Sequence, residues 1–106
     1  MATKYQEIYD SSLKDAEGFW SEVAQDVFWY KRPTKILNSD NPPFYKWFQD
    51  GTTNTCYNAV DLHVKNGKGD KVAIIYDSPI TNSKRKITYN QLKDQVSIFA
   101  GALANQ

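Results

Sequence analysis

A chain of 106 residues, 41% of them hydrophobic and 24% charged, has room for one small domain and lies far from the composition of a disordered segment. Its 13 basic against 12 acidic side chains leave a net charge of +1, so no overall field draws it to nucleic acid or to an anionic membrane. A single cysteine, Cys56, excludes an intramolecular disulfide and fits a reducing compartment.

The opening residues, Met1 to Glu7, contain no apolar stretch and carry an acid early. This is neither a secretory signal nor a typical Arg-rich transit peptide, and a cytoplasmic location is expected, with a mitochondrial one as the alternative. The longest apolar run, Val72 to Tyr76, is far too short to span a membrane.

Tyr5, Ile8 and Tyr9 fall at helical spacing and predict a first amphipathic helix over Lys4 to Leu13, interrupted by Ser11 and Ser12. Asp15 is placed to cap a second helix, with Phe19, Trp20, Val23, Ala24 and Val27 on one stripe and Gly18 weakening it. From Trp29 to Asn54 the periodicity vanishes. Pro33, Asn41-Pro42-Pro43 and Asp50-Gly51 supply turn chemistry, while Trp29, Phe44, Tyr45, Trp47 and Phe48 supply aromatic surface. An irregular segment so rich in rings is expected to wrap onto another body of protein, because alone it would expose a large apolar patch.

Asn54 or Thr55 is placed to cap a third helix with Cys56, Ala59, Val60, His63 and Val64 on its inner face, ending at Asn66-Gly67. The run Lys71 to Tyr76 reads as a buried strand, and Arg85 to Thr88 as its return across a long loop holding Asp77-Ser78-Pro79. Thr88-Tyr89-Asn90-Gln91 has the capping-box pattern and opens a last helix with Leu92, Val96, Phe99 and Leu103 on one stripe. The fold class expected is therefore α+β: amphipathic helices and an irregular aromatic-rich wrap, then a β-hairpin and a C-terminal helix.

Four groups are candidates for chemistry. His63 stands beside Asp61, but with no second histidine and no cysteine at ligand spacing a structural role is expected. Cys56, two turns earlier on the same stripe, makes a Cys-His pair geometrically conceivable; with nothing to lower its pKa it reads as a small buried hydrophobe. Gly67-Lys68-Gly69 looks like a piece of a phosphate loop, yet a strand follows it where such loops open a helix, so it reads as a turn. Lys84-Arg85-Lys86 lacks interleaved aromatics and reads as a solvated cluster at a strand start. No catalytic, cofactor-binding or metal-binding residue is assigned.

Taken in order, several blocks resemble the N-terminal region of AMP-forming acetyl-CoA and propionyl-CoA synthetases, in the adenylate-forming superfamily. They are Tyr5 through Ser12-Leu13-Lys14-Asp15 to Phe19-Trp20; Trp29 with Lys31-Arg32-Pro33; Phe44-Tyr45-Lys46-Trp47-Phe48 with Gly51 and Asn54; and Cys56 to His63. Gly69 to Tyr76 and Ile87 to Leu92 follow in the same order. The Pro42-Pro43-Phe44 lead-in, Cys56 and Tyr76-Asp77-Ser78-Pro79 look more like the propionyl branch, and Leu62 departs from an arginine usual in the family, removing a guanidinium that could pair a carboxylate.

The resemblance implies the N-terminal part of an adenylate-forming α/β enzyme: residues 1–66 as a helical, wrapping extension and 67–106 as the first hairpin and helix of the large domain. It implies ATP, Mg and CoA as cofactors and a small carboxylate as substrate of the full-length ligase, with none bound by this segment and the rest of the large domain as its partner. Neither nucleic acid nor membrane is expected as a partner. A stand-alone interaction module built on the same scaffold is the competing expectation.

Overall fold

The computed structural model describes residues 3–105 and divides them into two compact units, one up to Asn54 and one from Thr55. Met1, Ala2 and Gln106, which entered the sequence argument at the two ends, lie outside the described residues.

In the first unit, helix α1 covers Lys4–Lys14 and helix α2 covers Ala16–Val23. Thr3 starts α1, its Oγ1 accepting from the Gln6 amide at 3.3 Å. Ser11 and Ser12 do not interrupt the helix, contrary to expectation, because Ser12 Oγ donates to the Tyr9 carbonyl at 2.7 Å and so finds its partner within the helix. Asp15 ends α1 and caps α2, its Oδ1 accepting from the Gly18 amide at 3.0 Å. A Cβ at position 18 would run into that carboxylate. Gly18 therefore lowers helix propensity but lets the cap close.

Helix α2 ends before Val27. A tight single turn, Ala24–Asp26, follows it, and Val27 is already extended with φ −90°. The cause lies just beyond: Trp29 Nε1 donates to the Ala24 carbonyl at 2.8 Å, drawing the chain back across the helix end.

The expected irregular wrap turns out to contain a small antiparallel ladder. Strand β1, Leu37–Asn38, pairs with β2, Lys46–Trp47, in the register Leu37↔Trp47 and Asn38↔Lys46, and a bridge between Lys31 and Thr52 extends the pairing outward. Between the strands, the Phe44 amide donates to the Asn41 carbonyl at 2.9 Å across a cis Pro42–Pro43 bond. Phe48 holds φ at +49°, which costs a residue with a Cβ about 1 kcal/mol; its amide donates to the Ile36 carbonyl at 2.8 Å in return. Sequence periodicity misses a two-residue strand, since its partners are set by contacts across the turn and not by any repeat.

The second unit begins with a helical segment, residues 55–68, wound in two wide turns, Tyr57–Asp61 and Val64–Lys68, in which carbonyls bond five residues on. It stops where expected: Asn66 leaves helical geometry and Gly67 takes φ +75°, the left-handed conformation suited to glycine. Strand β3, Val72–Ser78, and strand β4, Ser83–Thr88, form an antiparallel hairpin from Val72↔Thr88 to Ser78↔Ser83, with a bulge at Ala73. The loop is short, not long: pairing takes in Asp77 and Ser78, the Asp77–Lys84 ion pair closes at 2.8 Å, and Asn82 turns the corner with φ +46°.

Helix α3, Tyr89–Ala104, opens with the full capping box: Thr88 Oγ1 accepts from the Gln91 amide at 3.3 Å and Gln91 Oε1 from the Thr88 amide at 3.0 Å. It packs against both strands and the wide helical turns. Asn90 ties its start to the preceding turn, donating from its amide to the Gly69 carbonyl and from Nδ2 to Asp70 Oδ1 at 3.1 Å.

Candidate functional site

Buried apolar side chains are few: among the described residues they are Ala24, Ile36 and Val60, and none of them is fully withdrawn from solvent. The features that bear on function are therefore surfaces, and each unit has one.

On the first unit the rings form a continuous cluster. Phe19 meets Trp20 edge-on at 5.2 Å, Trp20 meets Trp47 at 6.3 Å, Trp47 meets Phe48 at 6.0 Å and Phe48 meets Trp29 at 5.5 Å. Such contacts add about 0.5–1.5 kcal/mol per pair beyond area burial. Trp29 anchors the cluster through its indole bond to Ala24. Gly51 lies so close that a Cβ there would approach the Trp29 Cζ3 atom to 2.8 Å. Trp20 and Trp47 nonetheless keep 41% and 43% of their surface exposed, and Phe44, Tyr45 and Tyr30 lie further out. A folded unit that leaves so many rings half-covered has packed its aromatic layer on one side only.

Asp50 locks the loop below this layer. Its carboxylate accepts from Thr34 Oγ1 at 2.6 Å, from the Thr34 amide at 2.9 Å and from the Lys35 amide at 3.4 Å. The Thr34 hydroxyl, first among these donors, brings the acid down from an ordinary 3.8 to about 2. Between α1 and α2 a groove of about 610 Å³ is lined by Ile8, Phe19 and Val23 together with Glu7, Glu22 and Asp26. A smaller cleft of about 90 Å³ sits beside Trp29, Arg32 and Ile36.

On the second unit the strand expected to be buried is open. Ile75 is 71% exposed, and Val72 and Ile74 are exposed too. A continuous apolar run suits a strand covered on both faces, and within this unit only α3 and the wide turns are available to cover it. The stripe of α3 divides in the same way: Leu92 and Val96 are half-buried, while Phe99 and Leu103 are exposed.

The four candidate groups are not brought together into a reactive group. Cys56 is exposed, not buried as expected, because it occupies the first turn of the helical segment, ahead of the turns that α3 covers. His63 is half-buried and packs its ring on Tyr89 at 4.8 Å. Gly67-Lys68-Gly69 is the helix stop and the turn into β3. In the basic run, Lys84 pairs with Asp77 and Arg85 lies over the Tyr76 ring at 5.2 Å. The Tyr76 hydroxyl, bonded first to Ser78 and then to Thr81, has its pKa lowered. Among the described residues no three His, Cys, Asp or Glu side chains gather in one place. No helix among the described residues is long and apolar enough to cross a membrane.

A family model described as the acetyl-coenzyme A synthetase N-terminus matches residues 5–59. Over 101 residues, 95% of this chain, the sequence is 48% identical to the acyl-CoA synthetase short-chain family member 3, mitochondrial, of Homo sapiens. It is 50% identical over 97 residues, 92% of the chain, to the acetyl-coenzyme A synthetase of Streptomyces coelicolor, and 44% identical over 103 residues, 93% of the chain, to that of Paraburkholderia phymatum. In each case the match spans 15% of the relative's own length.

Proposed function

The chain belongs to the family of acetyl-coenzyme A synthetase N-terminal regions, and from that premise we propose that it is the N-terminal scaffold of an acetate- or propionate-activating CoA ligase. The observation that carries this is the identity of 44–50% running through nearly the whole chain to relatives named as a short-chain acyl-CoA synthetase and as acetyl-coenzyme A synthetases. The reaction proposed for the longer polypeptide joins a small carboxylate to ATP, releasing pyrophosphate, and then passes the acyl group from AMP to the thiol of CoA.

Charge developing on phosphorus in the first step calls for magnesium, cations and a loop of backbone N–H groups. In this proposal no step of that chemistry is assigned to residues 1–106. Their part is structural: residues 1–66 wrap the large domain and 67–106 begin it. Half-covered rings around Trp20 and Trp47 and the open face of β3 support that role, because both are surfaces that another body would seal. Propionate is the preferred acid in this proposal, on the strength of the Pro42-Pro43-Phe44 lead-in, Cys56 and Tyr76-Asp77-Ser78-Pro79. The exposed free thiol of Cys56 suits a reducing compartment, cytoplasmic or mitochondrial.

The test is to express the continuing reading frame and to measure acid-dependent release of AMP and pyrophosphate with acetate and with propionate. Activity with both, and a higher kcat/KM for propionate, is expected; a higher value for acetate removes the propionyl preference, and no acid activation removes the ligase. The 106 residues alone are expected to show no heat of ATP binding by calorimetry, and micromolar binding would overturn their scaffold role. A stand-alone docking module is the second reading, favoured by the same uncovered rings; a stable complex with a separate protein in a chain that activates no acid would establish it instead.

A further inference from the structure

The groove between α1 and α2 carries more information than its size. Its apolar lining comes from Ile8, Phe19 and Val23, and its charged lining from Glu7, Glu22 and Asp26, with no lysine or arginine among the lining residues. None of these three carboxylates makes an ion pair among the described residues. The lining runs from Glu7 to Ser11 on α1 and from Phe19 to Val23 on α2, about 6 Å of each at 1.5 Å per residue, which accommodates about one turn of a helix. An apolar trough of that length takes anchors at positions i and i+4 of an amphipathic helix, and a rim of one charge sign selects the opposite sign on the incoming flanks.

We propose that this groove receives an amphipathic helix of the same polypeptide, from beyond residue 106, that carries Lys or Arg on both flanks of its apolar stripe. Two observations choose this occupant: the uncompensated acidic rim fixes its charge, and a match confined to 15% of each relative's length leaves most of such a polypeptide available to supply it. The inference rests on the scaffold role proposed above and adds to it the chemistry of the face that docks.

Two synthetic helical peptides test it, with identical leucine stripes at i and i+4, one flanked by lysines and the other by glutamates. Titrated into the isotope-labelled 106-residue chain, the lysine peptide is expected to shift the amides of Ile8, Phe19 and Val23 and to weaken as salt is raised, while the glutamate peptide leaves them in place. Joint reversal, Glu7→Lys with Glu22→Lys, is expected to weaken the lysine peptide about ten-fold and to admit the glutamate peptide. If that variant loses helix by circular dichroism, Glu22→Gln with Asp26→Asn is measured in its place, with loss of the salt dependence expected. Equal binding of both peptides, or shifts confined to other residues, overturns the proposal.

In the longer polypeptide the groove amides should be protected from exchange and the lysine peptide should not bind. Undiminished peptide binding there means the occupant is a separate protein, and the proposal fails. A filled groove in a polypeptide that activates no acid would sink the ligase function and leave this inference standing.

Discussion

The two units solve the same problem by opposite means. The second is held by repetition: a ladder of paired strands, a capping box, and a helix laid across both. Its order is spread over many equivalent backbone bonds. The first has almost no repeating structure after Val23 and is held by individual side chains that reach to the backbone: the Trp29 indole to Ala24, Asp50 to Thr34 and Lys35, and the Thr53 hydroxyl to the Phe28 carbonyl at 2.6 Å. Single substitutions should therefore damage the first unit more than the second.

The sharpest break in that comparison is Trp29→Ala. It removes the indole bond and the ring under Gly51 and Phe48, and should destabilise the first unit by about 2–4 kcal/mol, below the figure for a fully buried tryptophan because Trp29 is half-covered. Hydrogen exchange read separately on the two units would show protection lost around the β1–β2 ladder and kept on β3 and β4. Next is Gly67→Ala, which forces a Cβ into φ +75° and should cost the second unit about 1–2 kcal/mol in chemical denaturation.

Thr88→Ala follows at about 1 kcal/mol, with faster amide exchange confined to the first turn of α3. The smallest effect expected is on acidification. Because Asp50 is held at about 2 when folded, below its ordinary 3.8, its contribution to stability is complete above pH 4 and disappears as the pH falls toward 2. Thermal midpoints followed from pH 5 to pH 2 should fall more steeply in the parent chain than in Asp50→Asn, and parallel curves would show that Thr34 does not depend on that charge.

What could be read from the residues follows the same division. Local rules located the Asp15 and Thr88 caps, the stop at Gly67 and the apolar stripes, because each depends on residues three or four apart. They missed the β1–β2 ladder, the short hairpin loop and the wide turns of residues 55–68, which depend on what the segment meets after folding. The aromatic surface was legible in the crowding of rings between Trp29 and Phe48. The acidic groove was not: Glu7 and Glu22 are 15 positions apart in sequence and share a wall only once α1 and α2 have docked. The pattern alone places Cys56 and the face of β3 in an interior, because an apolar run states a need for cover without saying which chain provides it.

A sheet of only two strands has two free margins, and those of the β3–β4 hairpin differ in chemistry. Along β4 run Lys84, Arg85 and Lys86, whose charge repels another strand laid beside them; along β3 the run Val72, Ala73, Ile74 and Ile75 is uncharged, and the strand's one acid, Asp77, lies at the turn end and is paired with Lys84. Growth of the sheet is therefore directed: a further strand joins on the β3 side. Until one arrives, that margin is where concentrated solutions of the chain would begin to polymerise.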